Sequence, residues 1–143
     1  MSNKILIAAD HAGLDLKQGL IDQMPKDTFE DLGTNSKENV DYPDYANELA
    51  RRISIDNNKK GVLICGTGVG MSVAANKHKN IRAGLVYNSE VAKLIREHND
   101  ANILVLPGRY MDIHEAKKCV ENFLTSSFAG GRHIRRLNKI VKE

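Results

Sequence analysis

One cysteine and three glycines stand closest to chemistry in this sequence. Cys65 ends the apolar run Val62-Leu63-Ile64, and Gly66, Gly68 and Gly70 follow at alternate positions. Met71 to Lys77 then suits a helix. A buried strand, a glycine turn and a helix put a sulfur beside bare backbone N–H groups, a place to hold a thiolate and a developing oxyanion. Neither familiar glycine motif fits. A phosphate-cradling Walker loop needs a Gly-Lys pair that is absent, and the dinucleotide fingerprint needs its third glycine one residue later. A cysteine closing a buried strand is also commonly a small core residue. The spacing alone admits both readings.

Other candidates flank the same kind of boundary. Asp10-His11 directly follows the run Lys4 to Ala9. Asp there serves as a helix cap, or the pair offers a carboxylate for sugar hydroxyls and an imidazole for an anion. His98-Asn99-Asp100 precedes another apolar run. It reads as helix-terminal punctuation, or as a general acid–base histidine delivered to the same sheet edge. Arg132 and Arg136 lie four apart, so they stack on one helical face and can grip a phosphate through planar forks, with Arg109 joining them. His78 and His114 read as surface residues. Cys119, among Ala116, Val120 and Phe123, reads as core.

The elements that must position these residues alternate. Strands are expected at Lys4–Ala9, Thr28–Leu32, Gly61–Cys65, Ile81–Val86 and Ile103–Leu106. Helices are expected from Gly13 to about Pro25, Pro43 to about Asp56, Met71 to Lys77, Ser89 to about Glu97, Asp112 to about Leu124, and His133 to the end. Ser89 is the expected cap of the fourth helix, and Asp112 with Glu115 a capping-box start for the fifth. In the last helix Ile134, Leu137 and Val141 are expected to face inward. The alternation predicts a three-layer α/β fold: a doubly wound, Rossmann-like, five-stranded parallel sheet with helices on both faces. Ligands of such sheets sit at the carboxyl ends of the strands, where strand order reverses. The strands ending at Asp10 and Cys65 are the expected neighbours there, in a 2-1-3 order. The order of strands four and five is left open.

With 143 residues, the chain (1–143) suits a single domain. No apolar run reaches the roughly 20 residues of a membrane span, and Met1-Ser2-Asn3-Lys4 leads straight into a strand without a signal peptide. The 2 cysteines lack metal-ligand spacing, and a reducing cytoplasm is expected. A net charge of +3 with only 5% aromatics supplies no stacking platform, so nucleic acid is not an expected partner.

Taken jointly, the pieces resemble the B-type ribose-5-phosphate isomerase family, which includes galactose-6-phosphate isomerase subunits. The matching pieces are Asp10-His11, Asp41-Tyr42-Pro43, Cys65 to Gly70, Ala74 to Lys77, His98-Asn99-Asp100, Gly108-Arg109, and Gly130 to His133 with Arg136. They occur in the family's order and span essentially the whole chain. The resemblance implies aldose–ketose isomerisation of a phosphosugar through a cis-enediolate, without metal or coenzyme. It also implies a homodimer or dimer of dimers whose sites combine both subunits. Some members replace the cysteine by a glutamate in the next helix. Here that helix has Ser72-Val73-Ala74-Ala75, which leaves Cys65 as the base.

In that scheme His98 protonates the ring oxygen and Asp10 handles the anomeric hydroxyl. Gly66, Gly68 and Gly70 N–H groups, helped by Thr67, hold the enediolate. His11, Arg109, Arg132, His133 and Arg136 are the phosphate candidates, and Tyr42 and Asn99 the sugar contacts. Galactose-6-phosphate enzymes split these motifs over two different subunits. One chain carrying the full set favours ribose 5-phosphate and the pentose phosphate pathway. A hexose-6-phosphate isomerase acting on allose or galactose 6-phosphate, and a non-catalytic phosphometabolite-binding module, remain the alternatives.

Overall fold

The computed structural model describes residues 4–141, so the expected lead-in at Met1 to Asn3 and the last two residues of the expected final helix lie outside it. Strands and helices alternate as β1 (Ile5–Ala9), α1 (Leu14–Gln23), β2 (Phe29–Asp31), α2 (Tyr42–Ser54), β3 (Gly61–Cys65), α3 (Val69–Ala75), β4 (Ala83–Leu85), α4 (Ser89–Asn99), β5 (Ile103–Pro107), α5 (Ile113–Thr125) and α6 (Arg132–Asn138). All strand pairs are parallel, and their order is β2-β1-β3-β5-β4. β1 and β3 are therefore neighbours at the reversal point, in the expected 2-1-3 order.

Strand composition explains the remaining order. Every residue of β3 and β5 is buried, as central strands covered on both faces require. β4 is half-buried and has only three residues, so it takes the edge, and β5 inserts between it and β3. Alternate strand residues feed two cores. Ile7, Ala9, Val62, Ile64, Leu104 and Leu106 meet Leu20 of α1, Ile95 of α4 and Phe123 of α5. Leu6, Ala8, Leu63, Ile103 and Val105 meet Leu49 and Ile53 of α2 and Met71 of α3 on the other face.

Two capping expectations change in detail. Asn88, not Ser89, caps α4, its Oδ1 accepting from Val91 N at 2.9 Å. Asp112 caps α5 as expected, accepting from Glu115 N. The Glu115 carboxylate does not return to Asp112, however; it accepts from Ser89 N at 2.6 Å and joins two helix starts. In the last segment the expected inward face is not found, because Ile134 and Val141 are exposed and only Leu137 is half-buried. α6 is short and packs mainly on α4, so it has little of the chain to bury itself against. Among the described residues, no helix is long and apolar enough to cross a membrane.

Candidate active site

The glycines after β1, β3 and β5 let three loops close over the carboxyl edge of the sheet. A Cβ on Gly13 would stand 2.5 Å from the Ile64 carbonyl oxygen, and one on Gly108 would stand 3.0 Å from that of Ala12. Only bare backbone fits at these crossings. Gly108 N then donates to Cys65 O, and Arg109 N to Gly66 O, which locks the β5 loop onto the glycine loop. A Cβ on Gly66 would meet the Arg109 guanidinium at 2.9 Å, so the missing side chain is what lets that cation lie over the loop. Gly68 starts α3 at φ +80°, a left-handed conformation suited to glycine.

Within this frame Asp10, His11, Tyr42, Cys65, Gly66, Thr67, Gly70 and Arg109 line one open pocket of about 540 Å³. Cys65 is a free thiol, 5% exposed. Asp10 does cap its loop, Oδ1 accepting from Ala12 N and Gly13 N at 3.0 and 3.1 Å. Its second oxygen is not engaged by those bonds. His11 Nδ1 accepts from Val40 N at 3.2 Å. That bond fixes the neutral tautomer with the proton on Nε2, a donor. Thr67 Oγ1 accepts from Val69 N at 3.1 Å, so this N–H is used within the loop while the Thr67 hydroxyl hydrogen stays available to donate.

His98 is not delivered to this edge within the chain, contrary to the expectation. α4 begins after β4 and ends before β5, so its last turn reaches the amino edge, about 15 Å away for a five-residue strand. There His98 stacks on His133, ring centroids 4.4 Å apart. Arg132 and Arg136 flank them on α6, and Asn99 lines a separate cleft with Asn76 to Gly84. Burial, then His98 and the two arginines, hold the His133 imidazole below its usual pKa. The expected site residues thus fall into two groups on opposite edges: Asp10, His11, Tyr42, Cys65 to Gly70 and Arg109 on one, His98, Asn99, Arg132, His133 and Arg136 on the other.

Sequence reasoning missed Lys17. Its side chain is 0% exposed, with Nζ donating to both Asp31 oxygens at 2.7 Å and to Asn35 Oδ1 at 3.0 Å. Asp31 Oδ1 also accepts from Gly33 N. The pin holds the loop between β2 and α2, which supplies Val40 to His11 and leads into Tyr42. The signal was present: Lys17 lies three residues from both Leu14 and Leu20, on the buried stripe of α1. His78, expected as a plain surface residue, is half-buried and bonded to Asn47 Oδ1 at 2.8 Å. His114 is exposed, and Cys119 is buried in the core as expected.

The family model described as Ribose/Galactose Isomerase matches residues 5–140. The chain belongs to the ribose/galactose isomerase family. Among members of this family, the probable ribose-5-phosphate isomerase B of Mycoplasma pneumoniae is 45% identical over 99% of this chain and 95% of its own. The crystal structure of a ribose 5-phosphate isomerase from Thermotoga maritima matches with a TM-score of 0.91 at 46% identity, covering 97% of each chain. A ribose-5-phosphate isomerase B from Mycoplasma genitalium, solved with bound ribulose 5-phosphate, matches with a TM-score of 0.88 at 42% identity over 97% of this chain and 94% of that one. The five-stranded parallel fold matches those two structures over nearly their whole length.

Proposed function

We propose that this chain is an aldose–ketose isomerase interconverting ribose 5-phosphate and ribulose 5-phosphate, acting as a homodimer with composite sites. The observation that carries this reading is a thiol, a carboxylate, an imidazole and a guanidinium facing one pocket at the reversal point of the sheet. Simple binding needs no base. The 42% identical relative that holds ribulose 5-phosphate supports the pentose substrate.

In the open aldose, the Cys65 thiolate removes the proton from C2. The electron pair forms the C1–C2 double bond, and the carbonyl oxygen becomes one enediolate oxygen. The proton on the C2 hydroxyl passes to the oxygen on C1. Cys65 then returns its proton to C1, leaving the ketone at C2. One base serves both carbons because the cis-enediolate places them side by side. General base catalysis contributes about 10²–10⁴-fold. The remainder comes from donors aimed at the enediolate oxygens: loop N–H groups other than that of Val69, and the Thr67 hydroxyl. His11 Nε2–H and Arg109 supply further donors at the pocket rim. Asp10, through its second oxygen, takes the anomeric hydroxyl proton during ring opening.

Ring opening also needs an acid, and phosphate binding needs cations beyond Arg109. His98, His133, Arg132 and Arg136 meet both needs from the opposite edge, so a partner subunit must present them. The cations that depress His133 are those a phosphate dianion would offset. Apolar surface supports the pairing. Val69 and Val73 stand exposed on α3 beside the Cys65 pocket, and Ile134 stands exposed between Arg132 and Arg136. Both cysteines are free thiols, which suits a reducing cytoplasm.

The test is ketose formation from a panel of ribose 5-phosphate, allose 6-phosphate and galactose 6-phosphate, with wild type and Cys65→Ala. Ribulose 5-phosphate forms fastest with wild type and is nearly lost in folded Cys65→Ala. Faster turnover of either hexose phosphate would overturn the pentose assignment, and a fully active Cys65→Ala would overturn the base.

A further inference from the structure

A second polar pocket lies at the amino edge, where the turn before β3, the segment before β4 and the last turn of α4 converge. Its volume is about 360 Å³, and Lys59, Lys60, Arg82, Arg96, Asp100 and Asn102 line it. Four cations there face the single carboxylate of Asp100, which is already engaged. Asp100 Oδ1 accepts from Arg96 Nη1 at 2.9 Å and Oδ2 from Arg82 Nη2 at 3.2 Å, and Arg82 also donates to the Asn99 and Asp100 carbonyls, so Lys59 and Lys60 are the cations left to an anion. Among the described residues, no carboxylate lies within ion-pair distance of Lys59 or Lys60.

Arg96 forms the buried wall of the pocket. The residue is 8% exposed, and its Nη1 also donates to Ala101 O at 2.7 Å. Its Nε is buried without any hydrogen-bond partner. That atom is sealed from the pocket as from bulk water, so the half-buried Lys59 and Lys60 ammonium groups are what the pocket offers an anion. Burial, then Arg96, also holds the Lys60 ammonium below its usual pKa, as expected where positive charge is in excess.

We infer that this pocket is a second anion site, taking the phosphate group of a small phosphate-bearing molecule. A phosphate dianion offers several acceptor oxygens to the lysine ammonium groups, and its charge offsets most of the excess. The site adjoins the cleft that holds Asn99, sharing Asn80 and Arg82 with it, but is separate from the His98, Arg132 and Arg136 grip. Arg96 and His98 are two residues apart on α4, hence about 200° apart around the helix. The pocket shares no residue with the one around Cys65.

Inorganic phosphate and glycerol 3-phosphate, titrated separately, test this on ¹⁵N-labelled full-length protein carrying Arg132→Ala and Arg136→Ala. Those changes weaken the proposed substrate grip and leave the second pocket intact. Saturable amide shifts at Lys60, Asn80 and Asn102 are expected. Lys60→Met should weaken the response by about tenfold or more, since it removes a charge-assisted contact, and Lys60→Arg should retain it. Equal affinity for the two probes assigns free phosphate as the ligand, and tighter binding of the ester assigns an ester. Absence of a saturable shift with either probe, or a response that folded Lys60→Met leaves unchanged, would overturn the assignment.

Discussion

Cys65 and Cys119 are both buried free thiols, yet their surroundings separate them chemically. Cys65 lines the pocket, whereas Cys119 sits among core residues with its Sγ against Met111 Sδ at 3.9 Å. Burial, then Glu115, pushes the Cys119 thiol up to about 12. Iodoacetamide should therefore modify the pocket-lining Cys65 and spare Cys119 until the chain unfolds. Peptide mapping by mass spectrometry checks this, and ribulose 5-phosphate should slow the labelling. Equal labelling of both cysteines in folded protein would contradict it. The raised pKa also has a stability consequence. Its contribution is fully present below the unfolded thiol's pKa and is lost as pH rises through about 12. At this scale the sequence was informative about identity and less so about geometry. The cysteine and glycines announced themselves by spacing. That Asp10 would spend one oxygen on its loop, or that Val40 would set the His11 tautomer, depends on chain segments brought together only by folding.

Lys17 shows how an element positions chemistry without touching it. α1 presents a charged residue on its buried stripe, and Asp31 at the end of β2 neutralises it. Removing one partner of such a pair strands the other, at a cost of about 3 kcal/mol. Lys17→Met should lower the urea-unfolding free energy by about that amount. It should also raise KM more than it lowers kcat, because the loop that leads to Val40 and Tyr42 loses its anchor. Unchanged stability and KM would show that the pin is unimportant. Strand and helix existence was legible from apolar runs, spacing and caps, although the inward face expected of the last helix is not formed. The order of β4 and β5 was not legible: the expected strand Ile81–Val86 was longer than Ile103–Leu106, and only folding trims the former to the three-residue edge strand Ala83–Leu85. The missed Lys17 contact was not a matter of period, since a lysine on an apolar stripe reads as an error until its carboxylate is found.

At the scale of the whole molecule, parallel topology puts the two groups of expected site residues out of each other's reach. Each helix that follows a strand runs back to the amino edge, so His98 at the end of α4 lies away from Cys65 at the end of β3. A two-fold dimer whose sites combine both subunits has a specific signature in subunit mixing. Cys65→Ala and Arg136→Ala should each be nearly inactive alone. Unfolded together and refolded as an equal mixture, about half the dimers are mixed if pairing is random, and each of these has one intact site. The mixture should then recover about a quarter of wild-type isomerase activity. No recovery, with mixed dimers verified by native mass spectrometry, would contradict the account.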